Sequence, residues 1–265
     1  MWGSPIEHSL SPVLHQAAYT ALGLADWSYE RREVDEAGFA AALSSLGPEW
    51  RGLSLTMPLK EVALAAATTV SPTAAETGAV NTLVREGDGW AGHNTDVHGI
   101  VVALAEAGCD RADTALVLGS GATARSALRA LEELGASTVI LMVRSQPRPE
   151  TMAQAERAGL AVRVAQMGEW APADVVISTV PPAAVPSLDH FPATRSRRPV
   201  LLDVVYGEGR TPLQETATAR GWTLAQGTDM LLHQAARQVW LMTGLEAPVE
   251  AMRAALARAR SGSGE

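Results

Sequence analysis

The feature that most constrains the fold is a glycine-rich turn between a strand pattern and a helix pattern. Residues 114–118 are apolar and rich in β-forming residues, residues 122–134 have a helical composition, and the turn reads Gly-Ser-Gly-Ala-Thr-Ala from position 119. In a G-x-G-x-x-A turn the first glycine permits the bend, the second lets a pyrophosphate approach the backbone, and the alanine allows close packing of helix on strand. The amides at the helix start face the phosphates. The turn therefore predicts a dinucleotide site formed by Gly119, Ser120, Gly121, Ala122 and Thr123.

The rest of the chain alternates strand patterns with helix patterns, which predicts an α/β fold with mainly parallel sheets. Before residue 110 we expect helices at 12–22, 36–46, 59–67 and 97–107, and strands at 27–34, 52–56, 80–85 and 90–93. Beyond it we expect strands at 114–118, 137–143, 161–165, 175–179, 200–205 and 222–225, and helices at 122–134, 150–158, 212–220, 230–243 and 248–260. The pattern predicts two domains: residues 1–100 with the C-terminal helix 236–265, and a Rossmann-like domain with a parallel sheet over residues 101–235.

The loop after the second strand of this region predicts which dinucleotide binds. A site for NAD usually ends this strand with an acidic residue for the ribose hydroxyls. Here Arg144, Ser145 and Arg148 follow the strand, without an acid. Because a planar guanidinium suits a 2′-phosphate, we expect NADP. Thr179 and Val180 end a later strand at the carboxyl edge, where ligands of such sheets lie, so we expect them near the nicotinamide ribose.

Composition and charge exclude several other functions. The net charge is −8, and the basic residues form no long cluster, so nucleic-acid binding is not expected. The longest apolar runs are only long enough for strands, and the N-terminus has no secretory pattern, which argues against a membrane protein. The single cysteine, Cys109, allows no internal disulfide and suits a reducing cytoplasm. The six histidines show no metal-ligand spacing, so no metal is expected.

A short polar segment near the N-terminus predicts a small anion site. Ser11 precedes Pro12, a combination typical of a helix start with Ser11 as the N-cap. Ser9 lies two residues earlier, so both hydroxyls point to the same side of an extended segment. Two hydroxyls at the positive end of a helix suit a carboxylate.

Six further segments occur in one order along the chain and carry a resemblance. They read Ser-Leu-Thr-Met-Pro-Leu-Lys from 54, Gly-Ala-Val-Asn-Thr-Leu from 78, Gly-His-Asn-Thr-Asp from 92, the turn from 119, Asp-Val-Val-Tyr from 203, and Gly-Thr-Asp-Met-Leu-Leu-His-Gln-Ala from 227. Together with the Ser9 segment, this series resembles the shikimate dehydrogenase family over nearly the whole chain. The order of the motifs makes the resemblance far more specific than any one of them.

The resemblance implies an NADP-dependent oxidoreductase of the shikimate pathway, and a role for each motif. Lys60 and Asp96 would form a catalytic pair, in which the carboxylate keeps the ammonium charged and oriented towards a developing alkoxide. Residues 1–100 with the C-terminal helix would bind substrate, and residues 101–235 would bind NADP. The implied ligands of the substrate carboxylate and ring hydroxyls are Ser9, Ser11, Thr56, Asn81, Tyr206 and Gln234. Gly227 would join the cofactor site. We expect a cytoplasmic monomer or homodimer whose partner is a small molecule.

Some residues depart from the family pattern and leave alternatives open. Ser54 stands where the family normally has asparagine, and Val143-Arg144-Ser145 replaces Asn-Arg-Thr, which predicts a less strict preference for NADP. Only two residues precede Gly3, so we expect a clipped edge strand or a start further upstream. A quinate/shikimate dehydrogenase and a catalytically silent homologue that binds shikimate or NADP are the alternatives. A glutamyl-tRNA reductase relative fits the middle of the chain but leaves the motifs of residues 9–96 unexplained.

Overall fold

The structure is a computed structural model that describes residues 1–192, 198–207 and 209–261. The chain divides into two compact units. The terminal unit contains residues 1–95 and the residues from Leu231 onward, and the central unit contains Asp96–Met230. In the described part of the chain, no helix is both long and apolar enough to span a membrane.

The strands are β1 (Trp2–Gly3), β2 (Arg32–Glu33), β3 (Gly52–Ser54), β4 (Thr69–Val70), β5 (Thr82–Glu86), β6 (Gly89–His93), β7 (Thr114–Leu118), β8 (Thr138–Val143), β9 (Ala161–Gln166), β10 (Val175–Ser178), β11 (Val200–Asp203) and β12 (Thr223–Gln226). The helices are α1 (Ser11–Ala21), α2 (Glu36–Ser44), α3 (Lys60–Ala66), α4 (Pro72–Thr77), α5 (Asp96–Glu106), α6 (Ala122–Glu133), α7 (Pro149–Arg157), α8 (Pro212–Ala219), α9 (Gly227–Thr243) and α10 (Val249–Ser261). Two short 3-10 turns lie at Pro182–Ala184 and Leu188–His190.

The central unit is a doubly wound parallel sheet, as the sequence predicts. Its strands have the order β12-β11-β10-β7-β8-β9, and every pair is parallel. Strands β7, β8, β10 and β11 are almost completely buried, and apolar clusters cover both faces of the sheet. The order reverses between β7 and β10, and ligands of such sheets bind beyond the carboxyl ends of the strands at this reversal.

The terminal unit has a smaller mixed sheet with the order β3-β5-β6-β4. Strands β5 and β6 form an antiparallel pair, with Gly87 at a positive φ of 55° in the turn between them. The expected strand over 27–34 is wrong in its first five residues, because β2 pairs only with β1, which is two residues long. The sequence patterns also did not predict β4 and α4, which are short. Helix α10 packs against α1, which places the C-terminal helix in the unit of the N-terminal residues, as the predicted domain division has it.

Candidate functional site

The side chain of Asn81 is fixed by the segment that leads into α5. Its Oδ1 accepts the backbone N–H of Thr95 at 2.8 Å and the hydroxyl of Thr82 at 2.8 Å. Its Nδ2 donates to Thr95 Oγ1 at 2.9 Å. All three residues are at most 2% exposed. The amide therefore has one orientation, set by a backbone donor.

Helix α9 brings a second predicted substrate residue to the same cluster. Gln234 Oε1 lies 3.5 Å from Thr95 Oγ1, which is also 3.2 Å from Asn81 Oδ1. Gln234 Nε2 donates to the carbonyl of Leu231 at 2.9 Å. Asn81 and Gln234 thus share Thr95 as a neighbour, although they are far apart in sequence. The structure brings these two predicted residues together.

One turn further along α9, Gln238 connects the cluster to β3 and α1. Its Oε1 accepts the Ser54 hydroxyl at 2.7 Å, and its Nε2 donates to Thr82 Oγ1 at 2.9 Å. Its Oε1 also lies 3.2 Å from His15 Nε2. Because a carbonyl oxygen only accepts, His15 Nε2 carries the proton and Nδ1 accepts from the hydroxyl of Tyr19 at 3.4 Å. Complete burial lowers the pKa of His15 to about 3, so the ring is neutral.

The two serines before α1 differ from the expected cap. Helix α1 begins at Ser11, and its N-cap residue is Leu10, whose side chain makes no capping hydrogen bond. The expectation that Ser11 is the N-cap is therefore wrong. Instead the Ser9 hydroxyl accepts the backbone N–H of Ser11 at 3.2 Å. The segment before α1 is turned and not extended as expected, since Ile6 O accepts the N–H of Ser9 at 3.1 Å and Leu10 has a right-handed helical conformation. Both hydroxyls still lie at the positive end of the helix.

The segment from β3 to α3 holds Thr56 and Lys60. The backbone N–H of Thr56 donates to Trp2 O at 3.0 Å, and its carbonyl accepts from Leu59 at 2.8 Å. Lys60 is the first residue of α3 and is partly buried, and its carbonyl accepts the backbone N–H of Val80 at 2.9 Å. The start of α3 is thereby tied to the residue that precedes Asn81.

Asp96 directly follows Thr95 in the chain and opens α5. It is 5% exposed, which is unusual for a carboxylate, since buried acids are normally paired or hydrogen-bonded. The Asn81–Thr95 hydrogen bonds fix the backbone on its N-terminal side. Each of the two predicted catalytic residues is therefore tied through the backbone to the Asn81 segment.

The glycine turn of the central unit has the geometry expected of a dinucleotide loop. Gly119 has a φ of +103°, and a Cβ there would lie 2.6 Å from Thr179 Oγ1 and 3.0 Å from Val180 Cγ1. The turn thus packs directly on two other predicted cofactor residues. At Gly121, the N-cap of the 12-residue α6, a Cβ would meet nothing within 4 Å. The open space at this helix start fits a phosphate group approaching the backbone.

The loop after β8 is tied to the glycine turn. The backbone N–H of Arg148 donates to Ser120 Oγ at 3.2 Å, and the Thr151 hydroxyl donates to Ser120 O at 2.7 Å. Arg144, Ser145 and Arg148 are all exposed. Two predicted cofactor residues, Ser120 and Arg148, are therefore neighbours, and the arginines lie where an anion can reach them from solvent.

The loop after β11 carries Tyr206 and is held by Asp203. The Asp203 carboxylate accepts the Thr211 hydroxyl at 2.7 Å and the backbone N–H of Val205 at 3.4 Å. Burial raises the pKa of Asp203, and these hydrogen bonds oppose the rise. Tyr206 is half-buried within this loop. Gly227 is required for close packing, because a Cβ there would lie 2.6 Å from Asp203 O.

Five residues of these clusters were missed by the sequence reasoning: His15, Thr82, Thr95, Asp203 and Gln238. Gln238 was detectable, because it lies four positions after Gln234 and so on the same face of α9. Thr82, Thr95 and Asp203 lie inside motifs that were noted without a role for them. His15 has no local signal. Within the described residues, no group of three or more His, Cys, Asp or Glu side chains could hold a metal ion.

Comparison with known proteins gives consistent matches along the chain. A family model described as the shikimate dehydrogenase substrate binding domain matches residues 1–83, and one described as the shikimate 5′-dehydrogenase C-terminal domain matches residues 227–257. The shikimate dehydrogenase (NADP(+)) of Moorella thermoacetica is 36% identical over 275 residues, covering 98% of this chain and 92% of the relative.

Two solved structures show the same similarity in three dimensions. The crystal structure of Mycobacterium tuberculosis shikimate dehydrogenase has a TM-score of 0.84 and 41% identity, with 97% of each chain covered. The shikimate 5-dehydrogenase of Thermus thermophilus, in complex with NADP(H) and shikimate, has a TM-score of 0.82 and 32% identity, with 97% of each chain covered. Both similarities extend over the two units described above.

Proposed function

Because this chain belongs to the shikimate dehydrogenase family, we propose that it reduces 3-dehydroshikimate reversibly to shikimate with NADPH, in the pathway to the aromatic amino acids. Residues 1–100 with the helix 236–265 bind the substrate, and residues 101–235 bind NADP. Its partners are small molecules, it works in the cytoplasm, and it is a monomer or a homodimer.

The observation that carries the proposal is that the cationic side chain at position 60 is a lysine. Of the 21 lysine and arginine residues, 20 are arginine, and the single lysine is Lys60. Arginine stays protonated at every physiological pH, whereas lysine can give up its proton when its surroundings favour it. A chain that uses arginine everywhere else has a lysine at the position where a proton must be exchanged.

Reduction of a ketone leaves a negative charge on oxygen that must be neutralised. Lys60 donates a hydrogen bond and then a proton to this oxygen, and Asp96 keeps the ammonium charged and oriented. When bound, NADPH supplies the hydride for the carbonyl carbon. In the reverse direction the same pair accepts the hydroxyl proton, so oxidation of shikimate is expected to be faster at higher pH.

The other site residues position the two ligands. Ser9 and Ser11 bind the substrate carboxylate at the start of α1, and both keep hydroxyls at this helix end. The substrate's ring hydroxyls are bound by Thr56, Asn81, Tyr206 and Gln234. Asn81 and Gln234 are suited to this because their amides are held in single orientations.

The cofactor is bound by the turn at the start of α6 and the loops around it. The amides of the Gly119–Thr123 turn bind the pyrophosphate, supported by the open space at Gly121. Arg144, Ser145 and Arg148 bind the 2′-phosphate, supported by the link between Arg148 and this turn. The nicotinamide end contacts Thr179, Val180 and Gly227.

The rate of NADPH oxidation with 3-dehydroshikimate tests the proposal. In the reverse direction, the rates of oxidation of shikimate and of quinate are compared, each with NADP and with NAD. We expect turnover with 3-dehydroshikimate and NADPH. Faster oxidation of quinate than of shikimate would favour the quinate/shikimate alternative, and binding without turnover would favour the silent homologue.

A charge-preserving variant tests the role of the lysine. Lys60→Arg keeps the cation but cannot release a proton, so kcat is expected to fall by about 10²–10⁴-fold while shikimate still binds. Arg163→Lys, at an exposed position of β9, is the matched control and is expected to leave kcat unchanged. A Lys60→Arg enzyme with the parent kcat would refute the assignment.

A further inference from the structure

The side-chain amide of Gln238 joins three elements behind the predicted substrate residues. Gln238 is 1% exposed. Its oxygen accepts from Ser54 Oγ at 2.7 Å and from His15 Nε2 at 3.2 Å. Its nitrogen donates to Thr82 Oγ1 at 2.9 Å and to the carbonyl of Asn81 at 3.4 Å. A primary amide has two donor hydrogens and two acceptor lone pairs, so every hydrogen-bonding position of Gln238 is used.

The direction of these hydrogen bonds follows from one backbone donor. The N–H of Thr95 donates to Asn81 Oδ1, which identifies that atom as oxygen. The single proton of the Thr82 hydroxyl must then lie on the 2.8 Å contact with Asn81 Oδ1. Thr82 Oγ1 can therefore only accept from Gln238, which requires the nitrogen of the Gln238 amide on that side. A reversed amide would place two acceptors against each other at Thr82 and at the Asn81 carbonyl.

We propose that Gln238 is a positioning residue for substrate recognition: it directs the Thr82 hydroxyl onto Asn81 Oδ1, and this second hydrogen bond holds in place the Asn81 amide that binds a ring hydroxyl of the substrate, in the orientation that the Thr95 N–H sets. This inference rests on the function proposed above. Gln238 itself does not touch the substrate. Its hydrogen bond keeps the Thr82 proton on Asn81, and Asn81 in turn keeps its nitrogen on Thr95, which reaches Gln234. Losing Gln238 leaves Asn81 with the Thr95 backbone bond but frees the Thr82 hydroxyl to turn away from Asn81 Oδ1.

A substitution that removes the amide of Gln238 but keeps the length of the side chain tests this role. Gln238→Met is expected to raise the KM for shikimate about tenfold, with kcat within about threefold of the parent, because binding of the ground state and of the transition state is weakened equally. Thr82→Val removes the next hydrogen bond of the series, from the Thr82 hydroxyl to Asn81 Oδ1, and is expected to have the same effect. The double variant is expected to raise KM about tenfold as well, rather than the roughly hundredfold of two independent effects.

Two controls separate positioning from stability. Gln154→Met removes a buried glutamine of the central unit, whose Nε2 donates to Arg125 O at 2.9 Å, and is expected to reduce stability without changing the KM for shikimate. Thr82→Ser restores the hydroxyl that Thr82→Val lacks and is expected to restore the KM. The contrast between these two variants provides the test even where Gln238→Met does not fold.

The results distinguish this inference from the proposed function. A parent protein without shikimate turnover refutes the function. A parent that turns over, combined with a Thr82→Val variant that has the parent KM, refutes the positioning role alone. Multiplied effects in the double variant also refute it, because they show that Gln238 and Thr82 act on binding separately.

Discussion

The buried histidine of α1 predicts how the terminal unit responds to acid. His15 is 0% exposed and stacks on Tyr29 with ring centroids 3.9 Å apart. Its two ring nitrogens face the Gln238 carbonyl oxygen and the Tyr19 hydroxyl. Desolvation dominates over the favourable hydrogen bond to Gln238 and lowers the pKa to about 3 from 6.5. The folded state therefore resists protonation of this ring.

The magnitude follows from linkage. Below pH 6.5 the unfolded chain binds a proton at His15, whereas the folded chain does not bind it until about pH 3. Since the unfolded state binds more protons, the free energy of unfolding falls as the pH drops through this window, by about 1.4 kcal/mol per pH unit. Between pH 7 and pH 5 the loss from His15 is about 2 kcal/mol.

Equilibrium urea unfolding at pH 7 and pH 5 measures this loss. His15→Gln removes the titrating group. Between pH 7 and pH 5, the free energy of unfolding of this variant is therefore expected to fall by about 2 kcal/mol less than that of the parent. The Met1 ammonium, whose pKa burial lowers to about 5, titrates in both proteins and cancels in the difference. His190→Gln, at an exposed position, is expected to show the pH dependence of the parent. Equal pH dependence of His15→Gln and the parent would refute the reasoning.

Three further substitutions test the cofactor and substrate loops. Gly119→Ala places a Cβ at a φ of +103° and against Thr179 and Val180, so it is expected to lower the free energy of unfolding by about 1–3 kcal/mol and to weaken NADPH binding in a fluorescence titration. Gly135→Ala is the control, because Gly135 has a φ of +79° but open space around its Cβ position. A strong loss of NADPH binding in Gly135→Ala would contradict the reasoning. Arg144→Asp replaces the cation at the 2′-phosphate by an anion, so it is expected to lower the ratio of kcat/KM for NADPH to kcat/KM for NADH by about tenfold or more. An unchanged ratio would exclude a contact between Arg144 and the 2′-phosphate. Asp203→Asn weakens the anchoring of Val205 and Thr211, on either side of Tyr206, and is expected to raise the KM for shikimate about three- to tenfold; an unchanged KM would show that these residues are held by other contacts.

The fold of the central unit could be predicted because its signals are local. Strands such as 114–118 are apolar over most of their length, several of the helices between them end at glycines, and the turn at Gly119 has a defined residue pattern. The structure confirms the parallel sheet that these patterns predict. The family was likewise predictable, because seven motifs occur in one order.

Other features depend on partners that the sequence does not place. Gln238 reaches Ser54 over 184 positions, and His15 reaches Gln238 over 223, so neither contact has a local pattern. The cap of α1 was misplaced, because Ser9 accepts the N–H of Ser11 in a turn that propensities do not distinguish from a simple N-cap. Strand β2 is short because its partner is short, which no property of residues 27–31 indicates.

The most direct test of the central claim follows the hydride itself. NADPH that carries deuterium on the transferred position of the nicotinamide is incubated with 3-dehydroshikimate and the protein, and the shikimate formed is analysed by mass spectrometry. We expect shikimate heavier by one mass unit with the parent protein, and almost none with Lys60→Arg. Formation of unlabelled shikimate, or no shikimate from the parent, would contradict the account.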